Sequence, residues 1–357
     1  MLTRLEVANY RGFKSYRMDD LAQVNLFVGM NNSGKTALLE SIQLLTSGGS
    51  PAVLEQTARR RGEMIVVLGQ RHVVDICHCF HGHSLAPEVQ FSLTGDNGYG
   101  PVTVMAGYQG GSDGKASTSG SNGAEFVLKI KSPVREQYCL ISNSGGVDFD
   151  SAKNVFQPSF KRFPTTEQNF IGSDSLDTID MAAMWDEVTL HRQEDAVTAA
   201  MRIIDPDLES VHFLTGIMSS GYLPARGGIV VGLKGRESRF PLGSMGDGMR
   251  RVLALATALA FTRDGCLFVD EMDTGMHYSV MPDMWRMMIH KALQENSQIF
   301  ATSHSWDCIE GLSSLCQREP ALMSKVAIHK IDRALSHSVA FSGESIVRMV
   351  KSDIDPR

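Results

Sequence analysis

The run Gly29-Met30-Asn31-Asn32-Ser33-Gly34-Lys35-Thr36 matches G-x-x-x-x-G-K-[ST] at every fixed position, the spacing of a loop that wraps nucleotide phosphates. Glycines at its two ends let the backbone curl so that successive N–H groups face anionic oxygens. A following helix adds the positive end of its dipole. Lys35 supplies a point charge to the β- and γ-phosphates, and the Thr36 hydroxyl is placed to ligate Mg²⁺.

Later residues suit the same chemistry. Gly265-Cys266-Leu267-Phe268-Val269-Asp270-Glu271 is an apolar run that ends in two acids. Asp270 is placed to hold Mg²⁺ through water and Glu271 to polarise an attacking water as general base, the competing role being a turn cap. Ahead of them, Leu242-Gly243-Ser244-Met245-Gly246-Asp247-Gly248-Met249-Arg250-Arg251 is a glycine-rich serine loop opening a helical run. It makes a second anion site of the helix-terminus kind, or else a capped buried helix with no ligand. One chain cannot use both loops on one phosphate. The serine loop is therefore expected to face the γ-phosphate held by a partner copy, with ATP bridging a homodimer. Finally, residues 297–304 read as a strand that delivers His304 at its C-terminal end, where ligands gather in open α/β sheets. Capping or packing is the competing role of that histidine.

The elements that must position these groups are legible around them. Residues 24–28 read as a buried strand feeding the loop, and Ala37, Leu38, Leu39, Ile42, Leu44 and Leu45 recur at helical spacing until Gly48-Gly49. Lys35 and Asp270 lie far apart in sequence, so something large is inserted between two halves of one core. Residues 50–225 show no sustained heptads. Within them, 65–68, 73–76, 89–93, 102–105 and 125–130 read as short strands, 107–123 as a flexible Gly/Ser-rich connection and 176–204 as helical. After His304 the pattern predicts helices at 306–315 and 345–350 and strands at 326–331 and 336–341.

At 357 residues the chain can bury a sizeable core, and 43% hydrophobic with 21% charged residues is ordinary for a globular protein. No apolar run is long enough to span a bilayer and the N-terminus has no signal-peptide pattern, so a cytoplasmic protein without membrane partners is expected. Six cysteines make no disulfide framework. The run Cys77-His78-Cys79-Phe80-His81-Gly82-His83 is rich in metal ligands. On a strand, however, Cys77 and Cys79 share one face while His78 points to the other, and no second ligand pair follows. Ordinary strand and turn residues are the favoured reading. A net charge of −6 argues against a surface basic all round. Nucleic acid, if bound, must meet a local patch at Arg59-Arg60-Arg61 or Arg71-His72, although a solvated helix end is the favoured reading of the triplet.

The order phosphate loop, long insertion, serine-glycine loop, Asp-Glu strand, histidine strand resembles the ABC-type ATPase heads of the SMC, RecF and OLD group. Leu5-Glu6-Val7-Ala8-Asn9-Tyr10-Arg11-Gly12-Phe13-Lys14 is similar to their first strand and turn. Gly246-Asp247-Gly248, with Glu271-Met272-Asp273-Thr274-Gly275-Met276-His277-Tyr278, most resembles the AAA-type ATPases related to OLD nucleases, common in bacterial anti-phage and retron-linked systems. The resemblance implies that Asn31, Asn32, Ser33, Gly34, Lys35, Thr36 and Ala37 cradle the phosphates, with Thr36 and Asp270 on Mg²⁺. It further implies Glu271 as catalytic base and His304 as switch histidine, while Ser244, Gly246 and Asp247 reach the other subunit's ATP. Asp273 lies where the family places the loop linking two active sites. Gln70 and Gln90 both fit the family's magnesium-contacting glutamine, and neither is assigned.

The implied fold is α/β: an ABC-ATPase (P-loop) core of mixed sheet flanked by helices, with inserted β-rich and helical segments and no long coiled coil. Residues 1–50 form its N-terminal part, 51–165 a β-rich part or insertion, 166–225 a helical segment and 226–357 the C-terminal part. The stretch after His304 is expected to be too short for the nuclease domain of OLD proteins, so any nuclease or toxin activity is assigned to another chain. The leading functional expectation is an ATP-gated dimer, or higher oligomer, that hydrolyses ATP and controls a separately encoded effector in defence. The alternatives are a RecF-like DNA-maintenance ATPase and a nucleotide-locked scaffold.

Overall fold

A computed structural model describes residues 1–66, 73–109, 116–117, 125–149, 155–158, 167–174, 178–214 and 228–357. Gln70, Arg71-His72 and most of the 107–123 connection lie outside the described residues. The chain divides into two compact units: Met1–Leu21 with Met30–Thr166 and Ile331–Ala340, and Ala22–Gly29 with Glu167–Lys330 and Phe341–Arg357.

The first unit is built on an antiparallel sheet. Its strands run in the order Val155–Pro158, Arg135–Leu140, Glu125–Ser132, Val102–Gln109, Gln90–Gly95, β1 (Leu5–Tyr10) and β2 (Phe13–Met18), with Ala116–Ser117 paired to Val102–Gln109. Val102, Val104 and Ala106 are buried while Thr103 and Met105 are half-buried, the period of two that a one-sided sheet imposes. Helix α1 (Lys35–Thr46) buries Leu38, Leu39, Ile42 and Leu45 completely. A Cβ on Gly95 would meet Leu45 Cδ2 at 2.9 Å, which shows how closely the helix lies on that strand.

Helix α2 (Pro51–Arg61) occupies part of the stretch expected to be β-rich. Pro51 opens it with its φ already helical, and Gly62, left-handed at φ 69, closes it. A second sheet joins Gly146–Val147, Val73–Asp75 and Met64–Ile65. The expected strand through residue 76 is corrected: it stops at Asp75, whose side chain accepts the Cys77 N–H and turns Ile76–Cys79 into a 3₁₀ turn. Residues 67–68 of the expected 65–68 strand lie outside the described residues.

In the second unit five parallel strands run in the order Gln168–Ile171, Cys266–Val269, Gln298–Thr302, β3 (Val24–Val28) and Val326–Lys330. Each of β3, Cys266–Val269 and Gln298–Thr302 is buried at every position, because helices cover both faces of a parallel sheet. Phe268 stacks between Phe170 and Phe300 at centroid distances of 6.3 and 5.6 Å, tying three neighbouring strands.

The flanking helices include Asp247–Phe261, Met281–Gln294, Trp306–Arg318 and Gly343–Lys351. The expected helical segment 176–204 is two helices, Thr178–Leu190 and Glu194–Met201. They are separated where Arg192 turns left-handed, with φ 55. A small antiparallel sheet of Leu208–Phe213, Ile229–Leu233 and Phe240–Pro241 precedes the serine loop. The fold is α/β with mixed sheets and flanking helices. Among the described residues no helix is longer than the 15 residues of Asp247–Phe261, and none is long and apolar enough to cross a membrane.

Candidate nucleotide site

Residues Met30–Thr36, in the first unit, carry the loop. Asn32 has φ 60 and Gly34 φ 98, so the chain turns left-handed twice before α1 begins. Gly34 is required on a second count, because a Cβ there would run into the Phe13 ring. The Ser33 N–H donates to the Met30 carbonyl at 3.2 Å, and Lys35 Nζ donates to the same oxygen at 3.0 Å. No acidic residue occupies the first turn of α1, which leaves its dipole end suited to an anion. Ser33 Oγ is buried with no hydrogen-bond partner among the described residues, an orphaned polar atom that a phosphate oxygen or a hydrated Mg²⁺ fits. Asn31 and Asn32 are exposed, Lys35 and Thr36 half-buried, and Ala37 buried.

A buried ion network holds α1 from its far side. Arg11, 5% exposed, lies 3.1 Å from Glu40 and donates to Glu63 at 2.7 and 2.9 Å, while Arg61 reaches Glu40 at 2.7 Å. Arg59 pairs with Glu55, and Arg60 donates to Gln43 at 2.8 Å. The arginine triplet thus has partners inside the unit.

In the second unit, parallel register brings the carboxyl ends of Cys266–Val269, Gln298–Thr302 and β3 to one edge, where β3 delivers Gly29. There Thr302 Oγ1 donates to Asp270 Oδ1 at 2.6 Å and accepts the Glu271 N–H at 2.8 Å. Glu271 is held left-handed at φ 51, an uncommon state for a residue with a side chain. Its carboxylate accepts from Thr274 Oγ1 at 3.4 Å. The neighbouring Ser303 hydroxyl donates to Asp273 Oδ1 at 2.5 Å, fixing the loop that follows the acids. His304 is exposed, and its carbonyl accepts from Arg357 Nη1 at 2.6 Å.

Behind this turn lies Arg251, 1% exposed. Its guanidinium donates to the carbonyls of Asp270 at 2.6 Å and Glu271 at 2.9 Å and to that of Gly172. Burial lowers its pKa to about 10 against the pull of the Asp270, Asp273 and Glu271 carboxylates, so it stays charged at neutral pH. Arg251 stands on the helix Asp247–Phe261, which the serine loop opens. Ser244, Gly246 and Asp247 are all exposed, and Gly246 has φ 89. Gly248 packs so tightly on the Gly275 carbonyl that a Cβ would sit 2.7 Å from it, joining the serine loop to the loop after the acids.

The motifs assign no role to Thr302, Ser303 or Arg251. Their signal in the sequence is a polar Thr-Ser pair closing a buried strand and an arginine inside a largely apolar helix.

Residues 1–80 match the family model "AAA ATPase domain", and residues 167–307 match the model "AAA domain, putative AbiEii toxin, Type IV TA system". The chain is similar to an "ATP/GTP phosphatase" of Helicobacter pylori, at 21% identity over 349 residues, 89% of each chain. It is 50% identical over 46 residues to the DNA replication and repair protein RecF of Heliobacterium modesticaldum, which is 13% of this chain and 12% of that one. Among solved structures, an Smc head bound to the C-winged helix domain of ScpA aligns with a TM-score of 0.48 at 13% identity, covering 96% of this chain and 97% of that one. Two separate segments of the chain thus resemble AAA-type ATPase domains.

Proposed function

We propose that this chain is an ATPase head that binds and hydrolyses ATP with Mg²⁺ as a homodimer, and that the cycle gates a separately encoded effector, a nuclease or toxin, in bacterial anti-phage defence. The hydrolytic part is carried by Thr302, whose single hydroxyl ties the Asp270 carboxylate to the Glu271 main chain. The name "ATP/GTP phosphatase" of the Helicobacter pylori relative supports it. The matching description, "AAA domain, putative AbiEii toxin, Type IV TA system", supports a toxin-linked setting. The proposed setting is cytoplasmic.

In this reading the N–H groups from Asn31 to Ala37 cradle the phosphates and Lys35 neutralises the β- and γ-oxygens. Thr36 and Asp270 would hold Mg²⁺, which would supply positive charge to those oxygens. Glu271, fixed by its backbone and by Thr274, accepts the proton of the attacking water. His304 donates to the γ-phosphate. Ser244, Gly246 and Asp247 face the ATP of the partner copy, and their exposure supports that role.

Glu271→Gln keeps the shape of the base and removes its basicity. Turnover is expected to fall by about 10²- to 10⁴-fold while ATP still binds, and ATP should drive the variant into a long-lived dimer by light scattering. A dimer population indifferent to ATP would overturn the composite site. Co-purification with the product of an adjacent gene tests the effector. The RecF similarity favours a second reading, DNA maintenance. That reading requires DNA-stimulated ATPase with a steep salt dependence, which a defence ATPase without DNA contact lacks.

A further inference from the structure

The nucleotide chemistry leaves the ligand-rich run from Cys77 to His83 unused. In the first unit the 3₁₀ turn Ile76–Cys79 sorts these side chains into two groups. Cys79 is buried, and its carbonyl accepts the Arg11 N–H at 2.9 Å. His81 Nδ1 lies 3.0 Å from the Arg11 carbonyl, and the His81 N–H donates to the Asn9 carbonyl at 2.9 Å. These contacts clamp the turn to the corner between β1 and β2. The rest converge elsewhere. Asp75 Oδ1 accepts the Cys77 N–H at 3.2 Å, and Asp75 Oδ2 lies 3.5 Å from His78 Nε2. One ligand atom each from Asp75, Cys77 and His78 lie within 4.8 Å of one another, and all three residues are half-buried. On the opposite edge of the imidazole, His78 Nδ1 is 3.3 Å from His83 Nδ1.

We propose that Asp75, Cys77 and His78 bind a divalent transition metal, zinc by its donor set, with His78 ligating through Nε2 and His83 orienting it from behind. Zinc takes sulfur at about 2.3 Å and imidazole nitrogen or carboxylate oxygen at about 2.0–2.2 Å, so tetrahedral neighbours stand roughly 3.3–3.8 Å apart. The 3.5 Å between Asp75 and His78 already falls there. A thiolate beside imidazole and carboxylate suits zinc and its neighbours in the transition series and not Mg²⁺ or Ca²⁺, which take oxygen. A ligating histidine ordinarily gives its other ring N–H to a fixed acceptor, the place His83 holds. Three protein ligands leave one position for water. Occupancy joins the end of the strand Val73–Asp75 to the turn on which Arg11 rests, and Arg11 in turn holds Glu40 of α1.

The test uses the full chain, stripped with chelator and titrated with Co²⁺ in excess Mg²⁺, which occupies oxygen-donor sites. One Co²⁺ per chain is expected, with a thiolate-to-cobalt charge-transfer band that Zn²⁺ abolishes. Cys77→Ser should remove the band, and His78→Ala or His83→Ala should weaken binding by about tenfold or more. Zn²⁺ should raise the melting temperature of the wild type and leave that of Cys77→Ser unchanged, a comparison that also confirms that the variant folds. Absence of stoichiometric binding, a band that survives Cys77→Ser, or an equal zinc shift in both proteins would overturn the site.

Discussion

The Thr302 hydroxyl joins an Mg²⁺-holding candidate, Asp270, to the base candidate, Glu271, through bonds of 2.6 and 2.8 Å. Thr302→Val keeps the volume and removes both bonds, leaving the Glu271 N–H unpaired at about 1–3 kcal/mol. Turnover is expected to fall by about 10- to 100-fold, the usual cost of losing a partner that orients a ligand, while Thr302→Ser retains most activity in steady-state assays. Equal activity in the valine variant would remove Thr302 from the mechanism. His329 is a different kind of buried group. It is fully buried beside Phe27, at a ring distance of 5.8 Å, and burial lowers its pKa to about 4. The unfolded chain takes up that proton near pH 6.5 and the folded chain does not until about pH 4. Its contribution is therefore present above pH 6.5 and lost as pH falls towards 4, about 2 kcal/mol of it by pH 5. Urea midpoints of the wild type should drop between pH 7.5 and 5 by more than those of His329→Gln.

At the scale of elements, the helix Asp247–Phe261 carries the serine loop at its start and, one turn on, the guanidinium that holds the carbonyls of Asp270 and Glu271. Arg251→Lys keeps the charge but cannot span three carbonyls with one ammonium. We expect a loss of about 3 kcal/mol from hydrogen bonds to a charged group. A fall in turnover larger than the fall in ATP affinity should accompany it, separable by equilibrium binding and single-turnover hydrolysis. Matched losses in both would make Arg251 a packing residue only. These elements differ in how far the sequence announces them. The strand Cys266–Val269 is a continuous apolar run and β3 and Gln298–Thr302 are largely apolar, buried at every position, and each leads directly into a motif loop. Arg251 reads as one basic residue in an apolar helix until the carbonyls it meets, far away in sequence, are folded around it. The turn at Ile76–Cys79 is set by a side chain, Asp75, accepting a backbone N–H two residues on, which alternation of hydrophobic residues does not register.

For the molecule as a whole, the division into two units is the least legible feature. β1 pairs with a strand some ninety residues on, Leu5 opposite Gly95, and no local pattern encodes such a pairing. The phosphate-loop motif itself reads as one continuous run, yet Gly29 falls in one unit and Met30 onward in the other. What such a molecule does with ATP turns on whether the serine loop serves its own lysine loop or that of a second copy, and symmetry offers a decisive experiment. In a two-fold dimer each composite site takes Lys35 from one copy and Ser244 from the other. Lys35→Ala and Ser244→Arg should each be inactive alone, because every site carries one defect. Mixed in equal amounts and allowed to exchange, about half of the dimers contain one copy of each variant. One of their two sites then carries both defects and the other none, so ATPase activity should return to about a quarter of the wild-type rate. If the serine loop acted within its own chain, every site in the mixture would remain defective and no activity would return.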